Sequence, residues 1–429
     1  MNNLTGETLS PASAVDPLSG SHASLRENST GLRRGIRIGL LTGGDDKSYA
    51  LGLASALLAQ GVSLDFIGSD SVDGPVLHNN PRVNFLNLRG SQREDVGFAR
   101  KLLRVLVYYG RLIRYAPDAR APIFHILWNN KFEWFDRTVL MLYYRLVGKK
   151  LVMTVHNVNA AKRDSRDNLA NRITLRVQYR LAHHLFVHTV RMKGELRADF
   201  GIPEKKVSVI PFGIDSTLPT TAISSLEARR RLGLLPTERV VLFFGQIAPY
   251  KGLEFLVAAL ARLIPSLPDV KLVIAGKVKR GYADYWKKVK NTISSRGLQD
   301  RIVQRIEHIP ETDVEVHFKA ADVLILPYTN ISQSGVPFLG YSFGLPVIAT
   351  DTGSLREDIV EGETGFICQP RDATDLARAV GQYFSSELFR DLERRREEIK
   401  RYANERYSWT KVAEITRKVY EKLNAPEGR

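Results

Sequence analysis

The stretch of residues 326–354, LPYTNISQSGVPFLGYSFGLPVIATDTGS, constrains the fold more than any other part of the chain. The apolar runs at residues 321–326 and 347–349 are rich in Val, Leu and Ile, as buried parallel strands are. Between these runs, residues 336–343 have a helical pattern that ends at Gly344. The order strand, loop, helix, strand, loop predicts a βαβ unit of an open α/β sheet.

Two polar loops of this unit follow the predicted strands. Ser332, Gln333, Ser334 and Gly335 come just before the helix, and residues 350–354 follow the second strand. Ligands of open α/β sheets bind beyond the carboxyl ends of the strands, and a helix N-terminus there directs unpaired N–H groups at anions such as phosphate. The residues by themselves allow either a phosphate site or an ordinary βαβ unit.

Composition limits the class of protein. The chain has 429 residues, of which 44% are hydrophobic and 25% charged, so we expect a soluble globular protein of two or three domains. Cys368 is the single cysteine and has no Cys or His neighbours, which predicts a buried thiol rather than a metal ligand. No apolar run approaches the roughly 18 residues of a transmembrane helix, and we find no signal-peptide core. These features favour the cytosol.

The net charge of +16 predicts an acidic partner, which could be nucleic acid, an anionic membrane face or a phosphorylated ligand. The sequence contains no zinc knuckle and no RNP aromatic signature, so we do not expect nucleic acid. Residues 98–115 predict a basic amphipathic helix, which could be a core helix with a solvated cationic face or a helix on an anionic membrane surface. The basic excess continues through residues 131–150, where aromatic residues could form a membrane edge or pack internally: Trp128, Phe132, Trp134 and Phe135.

Strand-like and helical patterns alternate along most of the chain and predict two successive α/β halves with a cleft between them. We expect a disordered tail at residues 1–34, a first domain at 35–215, a linker at 216–236, a second domain at 237–408 and a last helix at 409–425.

Two features of the first half are ambiguous by themselves. Gly43 and Gly44 follow the first predicted strand, but a full G-x-G-x-x-G is absent, so dinucleotide binding is not predicted and a tight turn is an equal alternative. His156 follows the predicted strand at residues 150–155, where it can face the cleft or be structural.

Motifs in both halves resemble one family. The second half contains GQIAPYKG (245–252), VIAGK (273–277), KAADVLILPY (319–328), SQSGV (332–336), FGLPVIATDTGS (343–354) and EGETGFI (361–367). The first half contains LTGGDD (41–46), VMTVHN (152–157) and VSVIPFGI (207–214). Over residues 37–423 the chain resembles the retaining GT-B glycosyltransferases of the sucrose-synthase and bacterial glycan-assembly type.

The resemblance implies two Rossmann-like domains that face each other across a cleft, with the helix at residues 409–425 packing back on the first domain near Trp409. It implies a nucleotide sugar on the second domain, a glycan acceptor on the first, and neither metal nor cofactor. Retention is expected through front-face attack, in which the leaving phosphate takes the acceptor's proton. The function implied is surface polysaccharide biosynthesis on a lipid-linked acceptor, by a cytoplasmic protein peripheral to the inner face of an anionic membrane.

The resemblance also carries residue roles. Lys251 matches the lysine on the diphosphate, where it would stabilise the leaving group, and His156 matches the histidine near the transferred sugar and β-phosphate. The other donor-binding positions that match are Gly43 and Gly44 of the glycine-rich loop, Gly245 of the phosphate loop, Gly335 and Val336 at the helix start, and Ile309, Gly276 and Lys277 near the base.

Two departures from the family are visible. Gln246 stands where members commonly have Arg, and charge-assisted hydrogen bonds are about twice as strong as neutral ones. The glutamates that many members carry around the SQSGV loop are absent, so Ser332, Gln333 and Ser334 would supply those polar contacts. The alternatives are a catalytically degenerate GT-B protein that binds a nucleotide or partner, a same-fold nucleotide-sugar epimerase or phosphorylase, and a transferase with a small soluble acceptor.

Overall fold

A computed structural model of the protein describes residues 35–43, 46–92, 97–163, 166–214, 221–331 and 333–425. The expected tail at residues 1–34, the site candidates Gly44 and Ser332, and part of the expected linker lie outside the described residues. The predicted domain limits are not tested by the structure and stay predictions.

The strands form two wholly parallel sheets. The first sheet has the order β3-β2-β1-β4-β5-β6-β7, with β1 at Arg37–Leu41, β2 at Ser63–Ile67, β3 at Val83–Leu86, β4 at Ile123–Ile126, β5 at Lys150–Thr154, β6 at His184–Val187 and β7 at Val207–Val209. The second has the order β10-β9-β8-β11-β12-β13, with β8 at Arg239–Phe244, β9 at Val270–Ala275, β10 at Ile302–Arg305, β11 at Val323–Leu326, β12 at Val347–Thr350 and β13 at Gly365–Cys368. The predicted α/β fold with two Rossmann-like domains is confirmed.

Helices connect the strands in both halves. The first half has α1 at Lys47–Ala59, α2 at Pro75–His78, α3 at Phe98–Asp118, α4 at Glu133–Phe135, a π-helical turn at Asp136–Leu140, α5 at Met141–Leu146, α6 at Ala160–Arg163, α7 at Leu169–Leu181, α8 at Val190–Phe200 and a 3₁₀ turn at Glu204–Lys206. The rest of the chain has α9 at Ser225–Leu232, a 3₁₀ turn at Pro249–Lys251, α10 at Leu253–Leu263, α11 at Ala283–Ser295, a 3₁₀ turn at Gln299–Arg301, α12 at Glu311–Ala320, α13 at Val336–Ser342, a 3₁₀ turn at Leu355–Asp358, α14 at Ala373–Ser385, α15 at Glu387–Arg390, α16 at Leu392–Tyr407 and α17 at Trp409–Asn424.

The helix α17 belongs to the core of the first half although it is the last described element. It packs on α1, and its residues Val412, Ala413 and Tyr420 are buried in the apolar cluster on that face of the first sheet. The Tyr420 hydroxyl lies 2.5 Å from Nδ1 of His125 on β4. A Cβ on Gly52 would lie 2.3 Å from the Trp409 ring, so only glycine fits where α1 meets the start of α17.

The helix α3 differs from a simple core helix. Its residues Tyr108, Tyr109 and Leu112 are buried, whereas Leu103 is 61% exposed and Phe98 is 81% exposed. The other apolar residues of the outer face are also exposed: Leu102, Leu106, Val107 and Ile113. One stripe of α3 therefore packs in the core, as the first alternative for this helix predicts. Most of the apolar residues of the amphipathic pattern, however, face outward.

Candidate active site

His156 lies just beyond β5 in an aromatic setting. Its ring stacks on Trp128 with the ring centres 4.4 Å apart and the planes 4° from parallel, and it meets Tyr49 edge-on at 4.7 Å. The Nε2 atom is buried and has no hydrogen-bond partner among the described residues. Burial, and then the neighbouring His188 and His125, hold the pKa of His156 well below its usual value, so the ring is neutral at pH 7.

A second histidine contacts His156 from the next strand. His188 follows β6, and its Nε2 atom lies 3.2 Å from Nδ1 of His156. Burial lowers the pKa of His188 to about 4, although the carbonyls of Ile210 and Pro211 oppose that shift. The two neutral rings can share one N–H between them.

Gly43 brings the first loop of the chain to the same place. It has φ +61°, and a Cβ there would lie 2.4 Å from the Trp128 carbonyl oxygen, so the close approach requires glycine. The guanidinium of Arg89 donates to the Gly43 carbonyl. Gly43, Trp128 and His156 therefore form one continuous wall at the carboxyl ends of β1, β4 and β5.

In the second half, two predicted glycines meet beyond β8 and β9. Gly276 has φ +139°, and a Cβ there would lie 2.0 Å from the carbonyl oxygen of Gly245. A Cβ on Gly245 would lie 3.9 Å from the Val336 side chain. The structure thus brings Gly245, Gly276 and Val336 together, and the close approach of the two glycine backbones requires that residue 276 has no side chain.

Lys251 is a buried cation at this edge of the sheet. Only 7% of its surface is exposed, and its Nζ lies 3.8 Å from the centre of the Tyr328 ring. The Tyr328 hydroxyl lies 3.5 Å from Oγ of Ser334, which accepts a hydrogen bond from the Val336 N–H at 3.3 Å. These contacts connect Lys251 to the SQSGV loop.

The two polar loops of the 326–354 stretch lie side by side. The Thr350 hydroxyl donates to the Tyr328 carbonyl at 2.6 Å. The loop after β12 also reaches the first half, since Arg191 of α8 donates to the Gly353 carbonyl at 3.2 Å.

Phe212 connects the histidines to the second half. Its ring meets His188 edge-on at 5.1 Å and stacks on Phe338 of α13 at 5.4 Å. A Cβ on Gly335 would lie 3.1 Å from the Phe212 ring. The first-half candidate His156 and the second-half candidates around Gly335 are therefore connected by a chain of ring contacts through His188 and Phe212.

The remaining predicted residues lie at the edge of this cluster. Gln246 and Lys277 are exposed, and Gln333 is half-buried. Ile309 is half-buried beyond the end of β10, further along the same sheet edge. The roles of all these residues stay predictions.

A cavity of about 520 Å³ opens on the first-half side of His156. Its lining includes the amides of Asn129, Asn130 and Gln178 and the guanidinium of Arg137. Asn129 and Gln178 bond to each other, the Gln178 amide donating at 2.5 Å. Such a wall suits a ligand rich in hydroxyl groups.

Sequence reasoning missed several members of the cluster. His188 follows β6 and Trp128 lies shortly after β4, so the rule that ligands meet strand carboxyl ends could have selected both. Trp128 packs on His156, which agrees with the alternative of internal packing. Phe212 lies within the VSVIPFGI motif, but the motif does not indicate its contacts. No local signal marks Arg89, whose importance comes from its contact with a distant part of the chain.

Within the described ranges, no group of three or more His, Cys, Asp or Glu side chains is arranged to hold a metal ion. Cys368 is buried as predicted, and burial raises the pKa of its thiol to about 12. Of the described helices, none is long and apolar enough to cross a membrane.

Two family descriptions match the chain and together cover most of it. "Glycosyltransferase Family 4" matches residues 47–218, and "Glycosyl transferases group 1" matches residues 224–406.

Relatives and solved structures agree with this assignment. The chain is 29% identical to a D-inositol 3-phosphate glycosyltransferase of Arthrobacter sp., over 77% of this chain and 79% of that protein. It is 28% identical to the lipopolysaccharide core biosynthesis mannosyltransferase LpsB of Rhizobium meliloti, over 45% of this chain and 54% of that protein. HepE of Anabaena, solved in complex with UDP, superposes with a TM-score of 0.69 at 17% identity, covering 91% of this chain and all of HepE.

Proposed function

Because this chain belongs to the group 1 glycosyltransferases of the GT-B fold, we propose that it moves a sugar from a nucleotide sugar to a hydroxyl group of a glycan acceptor, with retention and without a metal ion or cofactor. The observation that carries the proposal is the meeting of the two halves of the cleft. Phe212 joins the His156–His188 pair to Gly335 and Phe338, whose loop holds Lys251 through Tyr328.

The second half is proposed to bind the donor. Lys251 offers a cation to a diphosphate, and its low exposure means that little water screens the charge. Gly245 and Gly276 let backbone groups approach the ligand closely. HepE, which shares this fold, was solved with UDP and with UDP-glucose, which supports a nucleotide-sugar donor.

In the proposed reaction, the acceptor oxygen bonds to the anomeric carbon on the face from which the phosphate oxygen leaves. The acceptor's proton passes to that phosphate oxygen, so charge and atoms balance without a protein base. Lys251 stabilises the negative charge that develops on the leaving group. His156, which is neutral at pH 7, contacts the transferred sugar rather than the phosphate charge.

The first half is proposed to bind the acceptor in the cavity beside His156. The amide wall of Asn129, Asn130 and Gln178 can hydrogen-bond to several hydroxyl groups of a glycan. LpsB acts in lipopolysaccharide core biosynthesis, which supports an acceptor from surface polysaccharide assembly.

We infer a lipid-linked acceptor and a peripheral position on an anionic, inner membrane face from the surface around this cavity. The segment that lines the cavity with Asn130 and Arg137 also carries Phe132 and Trp134, whose exposed fractions are 39% and 64%. The exposed apolar face of α3 is interspersed with basic residues: Arg100, Lys101, Arg104, Arg111 and Arg114. Apolar and cationic side chains on one surface favour binding to anionic lipid.

The test is thermal unfolding against UDP, GDP, ADP and their sugars, with wild type beside Lys251→Ala. A ligand at 100 times its dissociation constant should stabilise the protein by about 2.7 kcal/mol. We expect stabilisation by one nucleotide class, lost in Lys251→Ala and kept in Lys290→Ala, which removes an exposed lysine of α11.

The stabilising nucleotide sugar is then incubated with the protein and release of free nucleotide is followed. Stabilisation without any turnover would support a degenerate nucleotide-binding protein. A changed sugar without nucleotide-dependent transfer would support an epimerase. No stabilisation by any member of the panel would contradict the proposal.

A further inference from the structure

A second, smaller cavity adjoins the cavity beside His156. Its volume is about 200 Å³, and it is lined by α3 and by the segments that follow β3 and β4. Arg89, Asn130 and Lys131 line both cavities, whereas His156 lines the larger one. The two cavities are therefore neighbours that share one wall.

The smaller cavity has a basic lining. All the charged side chains among its described lining residues are cations: Arg89, Lys101, Arg104 and Lys131. The rest of the described lining is neutral: Gln92, Val105, Tyr108 and Asn130. An anion in this recess would be attracted by four positive charges at once, and less water would screen the attraction there than on an open surface.

The helix α3 supplies two of these cations from one of its faces. Lys101 and Arg104 are three positions apart, so their side chains lie on the same side of the helix. Both residues are half-buried and line the cavity, whereas Arg111 and Arg114 of the same helix are exposed. The helix therefore directs part of its positive charge into the cavity and leaves the rest on the outer surface.

The wall between the two cavities is held by contacts of its own. The guanidinium of Arg89 lies 5.6 Å from the centre of the Tyr108 ring and donates to the Gly43 carbonyl. The Tyr108 hydroxyl donates to Oδ1 of Asn130 at 2.8 Å, and the Asn130 backbone N–H donates to the Asp136 carboxylate at 2.7 Å. A guanidinium has five N–H groups, and the contact with Gly43 uses one, so Arg89 has donors left for an anion.

The basic lining is more than a result of the net charge of +16. A cavity of about 500 Å³ beside α8 is lined by two cations, Lys162 and Arg191, and by two carboxylates, Glu195 and Asp199. The charges of that described lining balance each other. The cavity beside α3, in contrast, collects basic side chains from three separate segments of the chain.

We propose that the smaller cavity is a subsite for a phosphate or diphosphate ester that the acceptor carries. The acceptor places its hydroxyl groups against the amides of the larger cavity and its anionic group among Arg89, Arg104 and Lys131. Contacts to a group remote from the reacting hydroxyl position the acceptor for transfer. The inference rests on the proposed function for the assignment of the larger cavity to the acceptor. The ester can belong to a lipid carrier or to a phosphorylated sugar.

The first experiment measures anion binding without any nucleotide sugar. Inorganic pyrophosphate is titrated calorimetrically into Lys251→Ala, which lacks the diphosphate contact proposed for the second half. Adding Arg104→Gln should weaken pyrophosphate binding by about tenfold, the effect of losing one charge-assisted hydrogen bond. Adding Arg180→Gln, which removes an exposed arginine of α7, should leave the dissociation constant unchanged.

Equal affinities of the Arg104→Gln and Arg180→Gln proteins would overturn the inference, as would no pyrophosphate binding to Lys251→Ala at low salt. If Arg104→Gln does not fold, Lys131→Gln tests the same loss of charge at an exposed position. The titration needs no transfer reaction. Pyrophosphate binding that depends on Arg104, in a protein that binds no nucleotide sugar, would contradict the proposed function and keep the subsite.

The second experiment identifies the source of the anionic group. Farnesyl diphosphate, farnesol and a hexose 1-phosphate are each tested for displacement of pyrophosphate. We expect farnesyl diphosphate to displace it and farnesol not to, because the exposed side chains of Leu103 and Val107 lie next to Arg104 on α3. Displacement by the hexose phosphate alone would assign the ester to a phosphorylated sugar, and displacement by neither phosphate ester would contradict the proposal.

Discussion

The two halves of the molecule have the same architecture and opposite surfaces. Both are parallel sheets whose first strand has the second strand on one side and the fourth on the other. The second half keeps its large apolar side chains inside, and among the described residues only Leu226 and Leu235 are exposed there. The first half exposes many more, from Val76 to Val190, and α3 and the segment at residues 132–146 carry most of them. A shared fold therefore does not determine which face of a helix must be covered.

The halves also differ in their buried titratable groups. The first half has buried His125 and His188 and half-buried His184, and burial lowers the pKa of all three. The second half buries one histidine, His317, whose pKa is also lowered by burial. It also buries Asp358, and burial raises the pKa of that carboxyl group to about 7. One architecture can therefore hold different balances of groups that lose and gain stability in acid. Substitutions in each half can test these differences.

The largest effect on the reaction rate is expected at the candidate site residues of the two halves. Lys251→Ala should lower kcat by about a hundredfold to a thousandfold, the cost of losing a group aimed at developing charge. His156→Ala, on the other side of the cleft, should also lower kcat, by a smaller factor. Initial rates of nucleotide release would measure both. Lys290→Ala should have the same rate as wild type. A normal rate in Lys251→Ala would contradict the proposal that the second half stabilises the leaving group.

The second largest effect is expected from replacing one tryptophan in each half. Trp409→Ala should lower the free energy of unfolding of the first half by about 3 kcal/mol, within the usual range for a large aromatic residue replaced by alanine. Its ring fills the space between Gly52 and Gly213. Trp286→Ala, in α11, should loosen the second half instead. Hydrogen exchange of the β4–β5 peptides would measure the effect on the first half, and that of the β11–β12 peptides the effect on the second. If Trp409→Ala lowered protection in the β11–β12 peptides instead, the assignment of α17 to the first half would be contradicted.

Acid should destabilise the first half more than the second, where the raised pKa of Asp358 offsets the loss that comes from His317. A histidine with folded pKa about 4, such as His184 or His188, binds fewer protons folded than unfolded, so its contribution is present above its ordinary pKa and lost as pH falls towards 4. His188 should cost about 2 kcal/mol between pH 7 and pH 5. His184 should cost less, because it is only half-buried and solvent screens its charge. Asp358 has a raised pKa, so its contribution grows as pH falls through about 7. Asp136, whose pKa is also raised, offsets part of the loss in the first half.

Hydrogen exchange, corrected for its intrinsic pH dependence, would follow both sheets at pH 7 and pH 5. His188→Phe should reduce the acid sensitivity of the first sheet and leave the second unchanged. Equal responses of the two sheets would show that these buried groups do not set the difference.

The smallest effect is expected for membrane binding by the exposed apolar residues of the two halves. Trp134→Ser should weaken binding to vesicles that contain phosphatidylglycerol by about tenfold, because an aromatic side chain at the interface is lost. Leu235→Ser removes a side chain of similar exposure from the second half and should have no effect. Co-sedimentation at low salt measures both. Equal binding by the two variants would argue against membrane contact through the first half.

Local patterns predicted much of the fold because buried parallel strands are short apolar runs with a strong signal. The strand β11 and helix α13 were predicted within two residues of their observed ends. The strand β3 was missed because it is partly exposed and includes the polar Asn84. Residues 388–407 have a continuous charged, helical pattern, but the structure interrupts it at Asp391, between α15 and α16.

The site was less predictable for a physical reason. Residues such as Lys251 and Gly245 belong to local motifs, so the sequence could nominate them. His188 contacts His156, a residue 32 positions away, and no local pattern encodes that contact. The outward face of α3 was ambiguous because an amphipathic pattern shows that two faces differ but not which one is covered.

The return of α17 has a consequence for how the protein is made. Tyr420 lies 295 residues after His125, its hydrogen-bond partner. At about 5–20 residues per second, a ribosome needs roughly 15–60 s to reach Tyr420 after adding His125. During that time the α1 surface has no cover, while the second half emerges and can fold. The half that is translated first is therefore the half whose folding is completed last. Its exposed α1 surface is the part of the nascent chain that needs protection by chaperones.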